Sequence, residues 1–197
     1  MKYNKWAVFV SQTGSEVVNI SETLGITPAY LFTNNPSKLA EKTLRLIEEN
    51  GIVLIKLPFR PTEDDYSNVI FKKVKLITLH GYLRILPARF IKEFQGQIFN
   101  GHPGLISQHP ELKGKDPQIK AWEKRYDFVG SVVHKVTPEV DEGTIMLTCS
   151  TVNNASSLDN MYELLKNTSF TCWVSFLFRN NLVPLDKEKK ADLRYAI

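Results

Sequence analysis

Asn100 and His102 stand two residues apart in the run Gln97-Ile98-Phe99-Asn100-Gly101-His102-Pro103-Gly104. Side chains i and i+2 of a strand share a face, so an extended Gln97–His102 sets a carboxamide beside an imidazole. That pair suits acyl-type chemistry: an amide N–H stabilises charge developing on a tetrahedral oxyanion, and an imidazole moves a proton near neutral pH. The competing reading is a hydrogen-bonded structural histidine, the commoner fate of a lone His after a strand. A carboxylate that could orient the ring is available in Val136-Thr137-Pro138-Glu139-Val140-Asp141-Glu142-Gly143. Asp141 beside His102 would favour the protonated imidazole, although acids in a turn are otherwise simply solvated.

Two more segments carry polar groups at the ends of apolar runs. Ser11-Gln12-Thr13-Gly14-Ser15-Glu16 is a small, polar turn into a helix, where the backbone around Gly14, Ser15 and Glu16 could hold a phosphate. A capping turn with no ligand explains the same residues. His80-Gly81-Tyr82-Leu83-Arg84-Ile85-Leu86-Pro87 is apolar apart from Arg84 and stops at a proline, which also describes a buried loop whose arginine reaches solvent.

These residues need a scaffold, and the apolar periodicity supplies one. Strand-like runs at Val8–Val10, Ala29–Phe32, Ile52–Ile55 and Val74–Leu79 alternate with helix-like stretches, which predicts an α/β, Rossmann-like fold with a mostly parallel sheet and helices on both faces. In such folds functional groups collect beyond the carboxyl ends of the strands. Ser37 to Gly51 reads as a helix with a Ser cap and an Asn-Gly stop, burying Leu39, Thr43, Leu46 and Ile47. Gly130–Val136 and Thr144–Cys149 read as a hairpin whose acidic turn points away from the sheet. Ser156 to Asn180 reads as a long helix with Leu158, Met161, Leu165, Trp173 and Leu177 on its buried side. The charged tail from Asp186 is expected to lie loosely on the surface.

The chain has 197 residues, 43% hydrophobic and 23% charged, which fits a single domain spanning 1–197 with no membrane partner. No apolar leader precedes the first strand, so a cytoplasmic protein is expected. Cys149 and Cys172 lack close spacing and read as buried free thiols, and no metal-ligand spacing is present. A net charge of +4, spread along the chain, does not indicate nucleic acid as a partner. The apolar late helix leaves a homodimer open, with a core helix the simpler account.

Taken together, these segments resemble the folate-dependent formyltransferase family typified by glycinamide ribonucleotide transformylase and methionyl-tRNA formyltransferase. Asn100-Gly101-His102-Pro103 is similar to the family's Asn-x-His-Pro, and Val133 to Ile145 is similar to its Val-His-x-Val-x(4)-Asp-x-Gly-x-Ile. Gly81-Tyr82-Leu83-Arg84-Ile85-Leu86 resembles the family's folate segment, and the order and spacing of all three agree. The resemblance implies a Rossmann-like formyltransferase fold and transfer of a formyl group from 10-formyltetrahydrofolate, as co-substrate and without metal, to a primary amine of a small, phosphorylated acceptor. It implies Asn100, His102 and Asp141 as the catalytic trio, with protonated His102 kept charged by Asp141. By the same resemblance Leu83, Arg84, Ile85, Leu86 and Val140 hold the pterin, Gly14, Ser15 and Glu16 meet the acceptor, and His134 is an orienting residue near the site.

The acceptor side departs from the family pattern. Glu16 stands where the purine enzymes carry Asn after Gly-Ser, Gly104-Leu105-Ile106-Ser107 replaces Ser-Leu-Leu-Pro, and Lys166 replaces an acid on the late helix. Length favours glycinamide ribonucleotide as the acceptor. An amino-sugar nucleotide, with Lys113 and Lys115 meeting its diphosphate, is the runner-up. Hydrolysis of the formylfolate to formate and an inactive folate-binding module are the rivals of other classes.

Overall fold

Strands that are apolar on both faces are stable only when helices cover both sides of the sheet, and β1 meets that condition. In the computed structural model, which describes residues 1–67, 74–185 and 187–196, the chain runs β1 (Lys2–Val10), α1 (Ser15–Leu24), β2 (Thr27–Thr33), α2 (Glu41–Glu49), β3 (Val53–Lys56), α3 (Glu63–Ser67) and β4 (Leu76–Leu79). It continues through α4 (Ala88–Glu93), β5 (Gln97–His102), α5 (Pro117–Lys124), β6 (Phe128–Lys135), β7 (Ile145–Val152), α6 (Leu158–Arg179) and α7 (Lys187–Ala196). The seven strands form one sheet in the order β3-β2-β1-β4-β5-β6-β7. The pairs from β3 to β5 are parallel, and β6 runs antiparallel to both β5 and β7.

Alternation along the strands divides the core. Trp6, Val8, Val10 and Phe99 pack with Val17 and Ile20 of α1 and with Trp173 and Phe176 of α6. Ala7, Phe9, Ile77 and Ile98 face the other way, against Tyr66 of α3 and Phe90 of α4. Connections leave β1 and β4 in opposite directions across the sheet, so a crevice opens beyond the carboxyl ends of these two strands. Asn100 and His102 end β5, next in order.

The helix expected from Ser37 begins later. Pro36–Lys38 is a short 3-10 turn, Leu39 is extended and α2 is preceded by Ala40. The reason is tertiary: the Ala40 N–H and the Thr43 hydroxyl both donate to Thr13 O, at 3.0 and 2.7 Å, so Ala40 is drawn out of the helix to pin the loop after β1. The tail also differs from the expected loose surface segment. Asp186 lies outside the described residues, but α7 follows it and buries Leu193 against the α1–α6 side of the core. Of the two free cysteines, Cys149 is only half-buried, while Cys172 is buried with its thiol 3.6 Å from Ser131 O and 3.7 Å from Leu147 O. Among the described residues no helix is long and apolar enough to cross a membrane.

One close approach fixes β5 against α6. A Cβ on Gly101 would lie 2.3 Å from Trp173 Nε1 and 2.9 Å from Cε2, and the Trp173 side chain is wholly buried. Gly101→Ala should therefore force the indole or the strand to shift, costing about 1–3 kcal/mol as overpacking does. A thermal-unfolding transition lowered by several degrees is the expected reading; an unchanged transition would mean that Trp173 has room to move.

Candidate active site

Antiparallel pairing of β5 with β6 sets Asn100 directly opposite His134 and His102 opposite Val132. Asn100, His102 and His134 therefore share one face, while Gly101 turns to the Trp173 side. The connection from β6 to β7 then brings the carboxylate. The expectation that this acidic turn points away from the sheet is corrected: Asp141, at φ 55°, folds back over the strand ends, and its side chain is only 9% exposed. Asp tolerates this left-handed conformation better than most residues. Asp141 Oδ2 lies 3.3 Å from His102 Nδ1, and Oδ1 lies 3.4 Å from His134 Nε2.

The segment after β5 closes the site from the other side. His102 Nε2 is 2.8 Å from Leu112 O, and the Gly114 N–H donates to Asp141 Oδ2 at 2.9 Å. Lys113 reaches Glu142 at 2.8 Å, joining the same segment to the β6–β7 turn. A carbonyl can only accept, so Nε2 of His102 carries a hydrogen. The singly protonated ring then leaves Nδ1 bare and facing Asp141.

Burial is the leading influence on His102. It lowers the imidazole below the ordinary 6.5, against the opposing pull of Asp141 and the Leu112 carbonyl. The expectation that Asp141 keeps this ring charged is thus corrected: in the free protein, desolvation wins and the neutral form is favoured. Burial alone would raise the Asp141 carboxyl. The Gly114 N–H, together with the His134 and His102 rings when either carries a proton toward it, outweighs burial and holds the group down at about 2.

His134 is hydrogen-bonded to Asn100. Its Nδ1 is 3.0 Å from Lys135 O and so carries a hydrogen, while Nε2 lies 3.2 Å from the Asn100 amide nitrogen. A bare Nε2 accepts one N–H of Asn100, leaving the second for a ligand. The ring itself is buried.

The segment from Gly81 to Leu86 lies over the end of β1. The Ser11 N–H donates to Gly81 O at 3.2 Å and the Leu83 N–H donates to Ser11 Oγ at 2.9 Å. Arg84 does not simply reach into solvent. Its Nε donates to Phe59 O at 2.9 Å and its guanidinium lies 4.7 Å from the centre of the Phe59 ring. Leu86 is buried, but Leu83, Ile85 and Val140 are exposed apolar side chains, at 59%, 70% and 48%.

Gly14 precedes α1 at φ 71°, where a Cβ would also sit 2.8 Å from the Thr43 methyl, so the turn requires glycine. Ser15 opens the helix, its N–H 3.4 Å from Thr13 Oγ1. Glu16 points inward, to His80 Nδ1 at 2.8 Å and Ser169 Oγ at 2.7 Å. Neither His80 nor Ser169 was singled out by sequence; only the inward turn of Glu16 connects them. Lys166 pairs with Glu163 on the exposed side of α6, and Lys115 is exposed.

Among known proteins, phosphoribosylglycinamide formyltransferase of Haemophilus influenzae is 39% identical over 74 residues, 38% of this chain and 34% of that protein. Formyltetrahydrofolate deformylase 2 of Arabidopsis thaliana is 27% identical over 128 residues, 64% of this chain and 37% of that protein. The aligned stretch is thus about a third of the length of either relative. The crystal structure of phosphoribosylglycinamide formyltransferase from Anaplasma phagocytophilum superposes with a TM-score of 0.75 at 21% identity, covering 93% of this chain and 90% of that one. This likeness shows the fold. The family model described as formyl transferase matches residues 4–172, which include Asn100, His102, His134 and Asp141, and the chain belongs to the formyl transferase family.

Proposed function

We propose that this chain is an N-formyltransferase that moves the formyl group of 10-formyltetrahydrofolate to a primary amine, with glycinamide ribonucleotide, suggested by the named relatives, as the acceptor. The observation that carries the reading is the convergence of an Asn100 N–H, the bare Nδ1 of a neutral His102 and an ionised Asp141 at the end of β5. Exposed Leu83, Ile85 and Val140 around the folded-back Arg84 suit a flat pterin ring.

In this reading the amine attacks the formyl carbon, a C–N bond forms and the carbonyl oxygen becomes an oxyanion, which the free N–H of Asn100 stabilises. Neutral His102 takes the proton released from the attacking nitrogen. The resulting imidazolium has an acceptor at each nitrogen, Leu112 O and Asp141, so its formation is supported by groups already in place. The C–N bond to the folate then breaks, and His102 returns the proton to the departing nitrogen. Products are the N-formylated amine and tetrahydrofolate. Water in place of the amine would yield formate, a second reading that the longer alignment with the deformylase favours.

The deciding experiment follows tetrahydrofolate and formate from 10-formyltetrahydrofolate with glycinamide ribonucleotide, with amino-sugar nucleotides and with no acceptor. Acceptor-dependent tetrahydrofolate without formate is expected; formate without an acceptor would shift the reading to hydrolysis. Asn100→Ala should lower kcat by about 10²- to 10³-fold, the range for losing one oxyanion donor. His102→Ala should abolish turnover while the folded-state circular dichroism is kept, and loss of folding would make His102 structural. Because the His102 imidazole is held below 6.5 and acts as the neutral base, kcat/KM should rise with pH along an acid limb. Its midpoint should lie below the ordinary imidazole value. A midpoint well above 6.5 would show that burial does not control the ring.

A further inference from the structure

The loop that closes the site after β5 is gripped by a side chain to which the transfer chemistry gives no part. Lys120 lies half-buried on α5. Its ammonium donates to Glu111 O at 3.0 Å and to Lys113 O at 3.1 Å, the carbonyls on either side of Leu112 O. Leu112 O is the group that lies 2.8 Å from His102 Nε2. The Lys113–Gly114 peptide is held at both ends, since its oxygen accepts from Lys120 and its N–H donates to Asp141 Oδ2 at 2.9 Å. One cation therefore constrains the peptide before the Leu112 carbonyl and the peptide after it. α5 gives that cation a firm base. Ala121 is buried in the same apolar cluster as the Leu112 side chain and Val132, the cross-strand neighbour of His102.

The consequence falls on the His102 ring. A neutral imidazole carries one hydrogen, and here it has two acceptors: Leu112 O, 2.8 Å from Nε2, and Asp141 Oδ2, 3.3 Å from Nδ1. The carboxylate is intrinsically the stronger, because charge-assisted hydrogen bonds are about twice as strong as neutral ones. With the loop free, the hydrogen would go to Nδ1. The close approach of Leu112 O prevents this, since a bare Nε2 at that distance would set two lone pairs against each other. The grip on the loop also occupies the rival acceptor: Asp141 Oδ2 takes the Gly114 N–H of the very peptide whose oxygen Lys120 binds. A hydrogen bond at one end of a peptide strengthens the one at its other end. The titratable groups facing the ring are Asp141, His134 and Lys120; burial leads in holding the imidazole below 6.5, and the Lys120 charge adds to it.

We propose that Lys120 is a positioning residue for His102: by clamping Glu111 O and Lys113 O it holds Leu112 O on Nε2 and so selects the tautomer whose Nδ1 is bare. The effect on turnover rests on the transfer reading, in which that bare nitrogen is the base. The tautomer itself is a property of the free protein. Lys120 meets no reacting atom and acts only through Leu112 and Gly114. The test reads the His102 ring nitrogens by NMR, at a pH where the ring is neutral, in the unmodified protein, in Lys120→Met and in Lys120→Arg.

The unmodified ring should show its hydrogen on Nε2. Lys120→Met keeps an apolar stem and removes the donors, so the hydrogen should move to Nδ1 while the folded-state circular dichroism is kept. Lys120→Arg still offers donors to both carbonyls and should retain the Nε2–H form. In the same variants, kcat for tetrahydrofolate formation should fall roughly 10²-fold for Met, the scale of a misplaced reacting group, and recover in large part for Arg. KM for 10-formyltetrahydrofolate should stay close to that of the unmodified protein. A folded Met variant whose ring keeps its hydrogen on Nε2 overturns the proposal, as does an Arg variant that behaves like the Met one. Absence of tetrahydrofolate from the unmodified protein sinks the transfer reading, whereas the ring nitrogens, read without substrate, still decide whether Lys120 sets the tautomer.

Discussion

An imidazole removed from water and placed between two acceptors organises the functional end of this molecule. Desolvation favours the neutral ring, and the Leu112 carbonyl and Asp141 carboxylate favour the charged one. Burial prevails at rest, and the acceptors stand ready for the moment a proton arrives. The loop geometry follows from this balance. Residues 103–116 must fold so that a carbonyl reaches Nε2 and an N–H reaches Asp141, and the β6–β7 connection must turn back through a left-handed residue. A neutral ring at rest limits the cost of burying an ion.

The sheet makes the arrangement repeatable at the scale of ångströms. Pairing of β5 with β6 fixes Asn100 opposite His134, and the wholly buried Trp173 closes on Gly101 from behind. Both constraints act through the backbone of one strand, so the Asn100 and His102 side chains project from a stem held on each face. α6 contributes at both ends of this system, through Trp173 behind the strand and Ser169 on Glu16.

Much of this was legible in the sequence. The apolar runs gave the parallel strands and the helices on both faces, and the i, i+2 spacing of Asn100 and His102 gave their common face. What escaped were effects of groups distant in the chain. Ser37 has the chemistry of a helix cap, but Thr13 O takes the Ala40 N–H and postpones α2. Asp141 has the composition of a solvated turn, and the N–H of Gly114, 27 residues away in the chain, is the donor that meets it on its return. The protonation expected for His102 followed from a neighbouring carboxylate. It was reversed by burial, which no spacing of residues reveals. His80 gave no signal of its own, since its partner lies 64 residues away.

Strand alternation also separates two environments. Asn100 and His102 face one side of β5, while Gly101 and, through Trp173, the His80–Glu16 cluster belong to the other. Glu16, His80 and Ser169 are separated from Asn100 and His102 by the Trp173 indole and the backbone of β5. In evolutionary terms the two faces are under separate packing constraints, so side chains behind β5 can vary without repacking those beside Asn100 and His102.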